Sequence, residues 1–121
     1  MAIRPFWFTD TIALGANATA DAILPVSSGE IGRIKRLVFS ASGAFSITGL
    51  KDSTGLAYSN ARVSDPIPST ALVDAAIDLA GIQEFEPPLE LEGPNQLTIT
   101  ILDTSGSANT VRVIAEGEKE T

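Results

Sequence analysis

At 121 residues the chain is long enough for one domain with a real core and too short for two. Its 8 Lys plus Arg against 15 Asp plus Glu leave a formal charge of −7, which argues against a nucleic-acid binder, whose affinity rests on clustered basic residues. It has no Cys and no His, so a disulfide scaffold, a thiolate metal site, the commonest general base and the commonest zinc ligand are all excluded. Apolar residues make up 44%, which sets the chain apart from disordered sequences.

The opening Met-Ala-Ile-Arg-Pro-Phe-Trp-Phe lacks the basic region and apolar run of a secretory signal. No segment approaches the roughly 20 apolar residues that span a bilayer. Even the least polar stretch, Ile12 to Val26, carries Asn17, Thr19 and Asp21. The expectation is a soluble protein made in the cytoplasm, with neither membrane nor nucleic acid as a partner.

Taken in chain order, short segments rich in Val, Ile, Thr and Phe alternate with Gly, Asn, Asp and Ser clusters, the pattern of an all-β sandwich or barrel. Phe6 to Leu14 and Thr19 to Val26 are the first two strands, joined by Gly15-Ala16-Asn17. Arg33 to Ser40 is a third, but its alternation breaks: Ile34 faces one way, and Leu37 and Phe39 the other. A bulge there restores a single inner face; alternatively, one end of the strand projects past the sandwich. Phe45 and Ile47 alternate with Ser46 and Thr48, and Lys51-Asp52-Ser53-Thr54-Gly55 turns into a strand over Leu56 to Val63, with Gly55 supplying positive φ.

Ser69 to Gly81 breaks the pattern. Leu72, Ala75, Ala76 and Leu79 fall at helical spacing, Ser69 or Thr70 suits a cap, and Gly81 suits a terminator. Strict alternation of Ala71, Val73, Ala75, Ile77 and Leu79 keeps a strand open as the alternative. Pro87-Pro88 before Leu89-Glu90-Leu91 suits a sheet edge. Leu97, Ile99 and Ile101 then alternate with Thr98 and Thr100, and Val111, Val113 and Ala115 with Thr110 and Arg112. With Asp103 to Asn109 as the turn, these read as a hairpin. Glu116 to Thr121 alternates charge and reads as a fraying tail. The sum is about eight strands and one short helical insert around Thr70–Ala80.

Asp103-Thr104-Ser105-Gly106 after Ile101-Leu102 comes nearest to a catalytic motif. It resembles the Asp-Thr-Gly of aspartic proteases, but Ser105 displaces the glycine by one position, so the bland reading is a loop whose Asp and Ser bond their own backbone. Asp10, Asp21, Asp52 and Asp103 lie in separate turns without a calcium-loop run. Glu84, Glu86, Glu90 and Glu92 read as a charged stripe that guards a sheet edge, or as a face for a basic partner. Arg33, Lys35 and Arg36 form the only basic cluster, suited to acidic residues of a neighbouring subunit or to solvent. Ile3-Arg4-Pro5-Phe6-Trp7-Phe8 concentrates aromatics in a chain that is 6% aromatic, and aromatics with arginine are the types enriched at interface hot spots. It reads either as an arm reaching another subunit or as a first strand plugging its own core.

The stretch Glu86-Pro87-Pro88-Leu89-Glu90-Leu91-Glu92-Gly93-Pro94-Asn95-Gln96-Leu97-Thr98-Ile99-Thr100-Ile101, followed by Asn109-Thr110-Val111-Arg112-Val113-Ile114-Ala115-Glu116-Gly117, resembles small structural proteins of tailed bacteriophages. Ala20 to Val26 and Leu37-Val38-Phe39-Ser40 look like the opening strands of the same jelly rolls. In size and character the match is to the capsid decoration, or cement, proteins. That resemblance implies a jelly-roll-like antiparallel β-sandwich over residues 9–117, an N-terminal arm over 1–8 and a frayed acidic tail over 118–121. It also implies a non-enzymatic virion protein that binds the outer surface of the capsid across subunit joints. The implied partners are the major capsid protein and further copies of the chain, with no cofactor, metal or catalytic residue. Candidate contacts are Arg4, Phe6, Trp7, Phe8, Arg33, Lys35 and Arg36. The alternatives are a carbohydrate- or receptor-binding β-sandwich module of a phage particle and, remotely, a homodimeric aspartic protease.

Overall fold

Alternation of apolar and polar side chains needs a face to bury, and here two sheets supply it to each other. The computed structural model of the chain describes residues 2–55, 67–68 and 80–121. Its strands are β1 (Ile3–Leu14), β2 (Thr19–Pro25), β3 (Ile31–Ala41), β4 (Phe45–Asp52), β5 (Ile67–Pro68), β6 (Ala80–Glu92), β7 (Gln96–Asp103) and β8 (Asn109–Glu120). One sheet has the order β1-β8-β3-β6 and the other β2-β7-β4-β5, all antiparallel. Every strand except β5 lies in the sheet opposite its predecessor. That alternation between layers is jelly-roll topology, as expected.

The expected helix around Thr70–Ala80 lies outside the described residues, apart from Ala80, which begins β6. Gly81 is a strand residue opposite Phe39 rather than a helix terminator. The expected strand over Leu56 to Val63 also lies outside them. The turn before it is present: the Gly55 N–H donates to the Asp52 carbonyl (3.1 Å), and Gly55 has φ of 90°.

The expected hairpin between Leu97–Ile101 and Val111–Ala115 is corrected. β7 pairs with β2 and β4, whereas β8 pairs with β1 and β3 in the other sheet. Both strands bury one face, and an alternating pattern fits facing layers as well as neighbouring strands. Leu97, Ile99 and Ile101 therefore meet Val111, Val113 and Ala115 across the core, all fully buried. Phe39 of one sheet and Phe45 of the other bridge the layers, with ring centroids 5.6 Å apart.

The break in β3 is a bulge. Ile34 lies opposite Gly117 and Arg36 opposite Glu116, so Lys35 is an extra residue on β3. The shift places Ile34, Leu37 and Phe39 on one inner face, each at most 1% exposed. Gly117 is required at the crossing, because a Cβ there would lie 1.8 Å from the Arg33 carbonyl oxygen. A second bulge falls between Ile47 and Gly49 of β4 and returns Leu50 to the core face. The three-residue step from Ile47 to Leu50, with Gly49 between, was its sequence signal.

Residues 3–8, read as a possible arm, form the first half of β1 and pair with Ala115 to Glu120 of β8. The segment read as a fraying tail is thereby the end of a strand held on both sides, by β1 and β3. The Ala2 N–H donates to the Thr121 carbonyl (3.3 Å) and the Thr121 N–H to the Ala2 carbonyl (3.0 Å). This reciprocal pair sets the phase of the β1–β8 ladder, so even-numbered residues of β1 bond β8 and odd-numbered ones face away. Pro5 is odd-numbered, which is why an edge strand tolerates it.

Deleting Lys35 removes the bulge and turns Leu37 and Phe39 away from the core. We expect that variant to lose cooperative urea unfolding by circular dichroism. Lys35→Ala keeps the backbone count and loses only one exposed ion pair, so it should unfold within about 1 kcal/mol of the parent.

Candidate functional site

Two neighbourhoods contain most of the residues that the sequence singles out: the outward face of the sheet carrying β1, and the connection that follows β7. On the outward face, the basic cluster is neutralised from within the chain. The Arg33 guanidinium bonds Glu90 (3.2 Å) and Glu120 (3.4 Å), Lys35 bonds Glu118 (2.9 Å), and Arg36 bonds Glu116. Hydrogen bonding to Glu90, with help from Glu120, holds Arg33 above its ordinary pKa. Lys119 adds a pair with Glu30 (2.9 Å) and holds that carboxyl below its ordinary value. The acidic partners of Arg33, Lys35 and Arg36 come from β6 and β8.

Beside this ladder, β1 presents apolar side chains. Ile3 is 59% exposed and Trp7 67% exposed, and Arg4 and Pro5 are exposed as well. Phe8 points the other way, half-buried against the core. Phe6 lies opposite Gly117, and its side chain falls outside the described part. Pro5 and Trp7 form one wall of a shallow groove of about 610 Å³, with Phe85 and Pro88 lining it as well and Lys35, Arg36 and Glu116 between. Of the candidate contacts, Trp7, Lys35 and Arg36 are thus brought together, whereas Phe8 is turned inward and Arg33 is engaged along the ladder. Phe85 and Pro88 were missed as groove residues. Their signal was the Pro87-Pro88 pair: β6 resumes pairing with β3 at Leu89 after Glu84, so the residues between leave the ladder.

Of the glutamate stripe, Glu90 and Glu92 are exposed, and the side chains of Glu84 and Glu86 lie outside the described part. β6 is the last strand of its sheet, and Glu90 is occupied by Arg33. Asp10 and Asp21, expected in turns, are strand residues of β1 and β2 that bond other strands, whereas Asp52 serves its own turn. Asp10 accepts the Ile23 N–H (2.9 Å) and Asp21 the Thr100 hydroxyl (2.8 Å), while Asp52 accepts the Thr54 N–H (2.9 Å) and hydroxyl (2.7 Å). Among the described residues no three carboxylates gather to hold a metal ion.

Asp103 is 1% exposed, and its carboxylate is saturated. Oδ1 accepts the Ser105 hydroxyl (2.5 Å), the Ser105 N–H (3.1 Å) and the Asn109 amide (3.0 Å). Oδ2 accepts the N–H groups of Asn17 (2.9 Å) and Gly106 (3.1 Å). Asn109, itself 2% exposed, accepts the Gly43 N–H (3.0 Å) and donates to the Ala44 carbonyl (2.9 Å). Three connections, β1–β2, β3–β4 and β7–β8, are pinned to one buried polar cluster. The Ser105 hydroxyl first, then the Asn17 N–H, drive the Asp103 carboxyl well below the ordinary carboxylate range against the opposing effect of burial. A general acid needs the opposite shift.

No protein-family model matches this chain, and no curated protein matches it.

Because the Asp103 pKa is lower folded than unfolded, its contribution to stability is complete above the unfolded value of about 3.9 and is lost as pH falls below it. Asp103→Asn should therefore be less stable at pH 7 but lose less than the parent between pH 7 and pH 3, as read from urea midpoints. Asn109→Ala leaves the Gly43 N–H and Ala44 carbonyl without their partner and should cost about 1–3 kcal/mol at either pH.

Proposed function

We propose that this protein is a non-enzymatic structural protein of a virus particle that adheres to the outer surface of a capsid and stabilises it across subunit joints. The observation that carries the reading is the exposed Ile3–Pro5–Trp7 stripe on a sheet face where Arg33, Lys35 and Arg36 are already paired within the chain. Such a face loses little by being covered, since its ion pairs are formed before contact, and it gains by burying an indole and an aliphatic side chain. The jelly-roll strand order supports the resemblance to phage decoration proteins. Many identical copies on one particle make a modest contact sufficient, and each contact stabilises the joined state by mass action. The partner is the major capsid protein, and the site of action is the capsid exterior.

A second reading, a carbohydrate- or receptor-binding module of the particle, is favoured by the groove itself. An exposed Trp7 ring beside Arg36 and Glu116 combines an apolar platform with hydrogen-bonding groups. The remote reading as an aspartic protease finds no support in Asp103, whose carboxylate is enclosed by donors from its own loop, from Asn109 and from the β1–β2 connection.

Co-sedimentation with decoration-free capsids tests the adhesive reading. The parent should pellet with the shells, and Trp7→Ala should bind at least about tenfold more weakly, the loss typical of a central interface aromatic. Failure of the parent to bind, together with selective capture on a glycan array, would replace the first reading with the second.

A further inference from the structure

We infer that the open edge of β1 takes the β1 edge of a second copy of this chain, antiparallel and with a two-fold axis through Trp7. This goes beyond the adhesive reading and does not depend on what the paired molecules bind.

The phase of the β1–β8 ladder directs the peptide groups of Ile3, Trp7, Thr9, Thr11 and Ala13 away from β8, along with the Pro5 carbonyl. Among the described residues no strand pairs with them. The other sheet edges are managed. β6 has Pro87 and Pro88 exposed within it and an exposed Glu92 at its end, and β5 is two residues long. On β2, the Ile23 N–H is taken by Asp10. β1 is twelve residues long and carries two charges of opposite sign, Arg4 and Asp10. Among the described residues the large apolar side chains that are exposed are Ile3 and Trp7 on β1 itself and Ile23, whose backbone N–H bonds Asp10 of β1.

Charge selects the register. An antiparallel pair centred on Trp7 sets Arg4 opposite Asp10 of the second copy, and Asp10 opposite Arg4. A parallel pair in register sets like charges against each other. An antiparallel pair centred on Phe6 or Phe8 sets Arg4 against an apolar residue. The Trp7-centred register also places the two indoles side by side and Ile3 against Thr11, cross-strand pairs that sheets favour. Pro5 falls opposite Thr9 and withholds one N–H from each half, so the ladder is thinner than a full one and association is concentration-dependent. Pairing leaves the outward faces of both copies free and joins their Ile3–Pro5–Trp7 stripes into one patch.

The chain has no cysteine of its own, which makes cross-linking unambiguous. Facing residues of a bonded pair have Cα atoms about 5.5 Å apart, within disulfide reach. Trp7→Cys should therefore cross-link with itself on mild oxidation. Thr11→Cys alone should not, and Thr11→Cys mixed with Ile3→Cys should. By sedimentation velocity the parent should show a monomer–dimer equilibrium. Arg4→Asp should weaken it at least tenfold, and Arg4→Asp combined with Asp10→Arg should restore it. The Arg4→Asp and cysteine variants keep Asp10 in place, so they still decide the matter if the swap disturbs β2. A parent that stays monomeric at every concentration, or Thr11→Cys cross-linking with itself as readily as Trp7→Cys, overturns the inference. A monomer that still pellets with capsids overturns this inference alone.

Discussion

A strand has only two faces, and a sandwich can bury only one of them. The long-stranded sheet has to meet this constraint over β1, β3, β6 and β8, each longer than β2, β4, β5 or β7. Strict alternation along β3 would turn either Ile34 or the Leu37–Phe39 pair to solvent. One extra residue, Lys35, resolves it, and the close backbone approach that results is possible because position 117 has no side chain. The same device recurs at Thr48 in β4. A continuous core from Leu24 through Ile99 and Val113 to Phe39 depends on these two corrections of phase.

Chain that leaves one sheet to enter the other exposes backbone groups at the corner, and those groups need partners. Asp103 and Asn109 provide them at one end of the sandwich. At the other end, Asp52 accepts the Asn95 amide (3.3 Å), and Asn95 in turn accepts the Ser53 N–H (2.9 Å). Each cluster joins a buried carboxylate to an amide. The residues that look most catalytic in this chain are thereby accounted for by the topology.

The surface follows a similar economy. Arg33, Lys35, Arg36 and Lys119 are all engaged by glutamates of the chain itself. Among the described residues, the apolar edge of β1 is the feature that no neighbouring strand covers. The adhesive reading and the inferred pairing both start from it, one from its face and the other from its rim.

The sequence by itself determined the class of fold, the turn at Gly55, the edge position marked by Pro87-Pro88, the self-bonded loop at Asp103 and the need for a correction near Lys35. Each is local: side chains at i and i+2 share a face, a proline lacks its N–H, and an aspartate reaches N–H groups a few residues on. Only the tertiary structure decided that β7 and β8 face each other across the core, that residues 3–8 are strand, and that Arg33, Lys35 and Arg36 answer Glu90, Glu116, Glu118 and Glu120. The last two join residues about 60 to 120 positions apart, and the first separates strands that follow one another in the chain. A half-buried strand presents the same alternation whichever neighbour it has, so its partner is selected by the packing of the whole and leaves no mark in any short window.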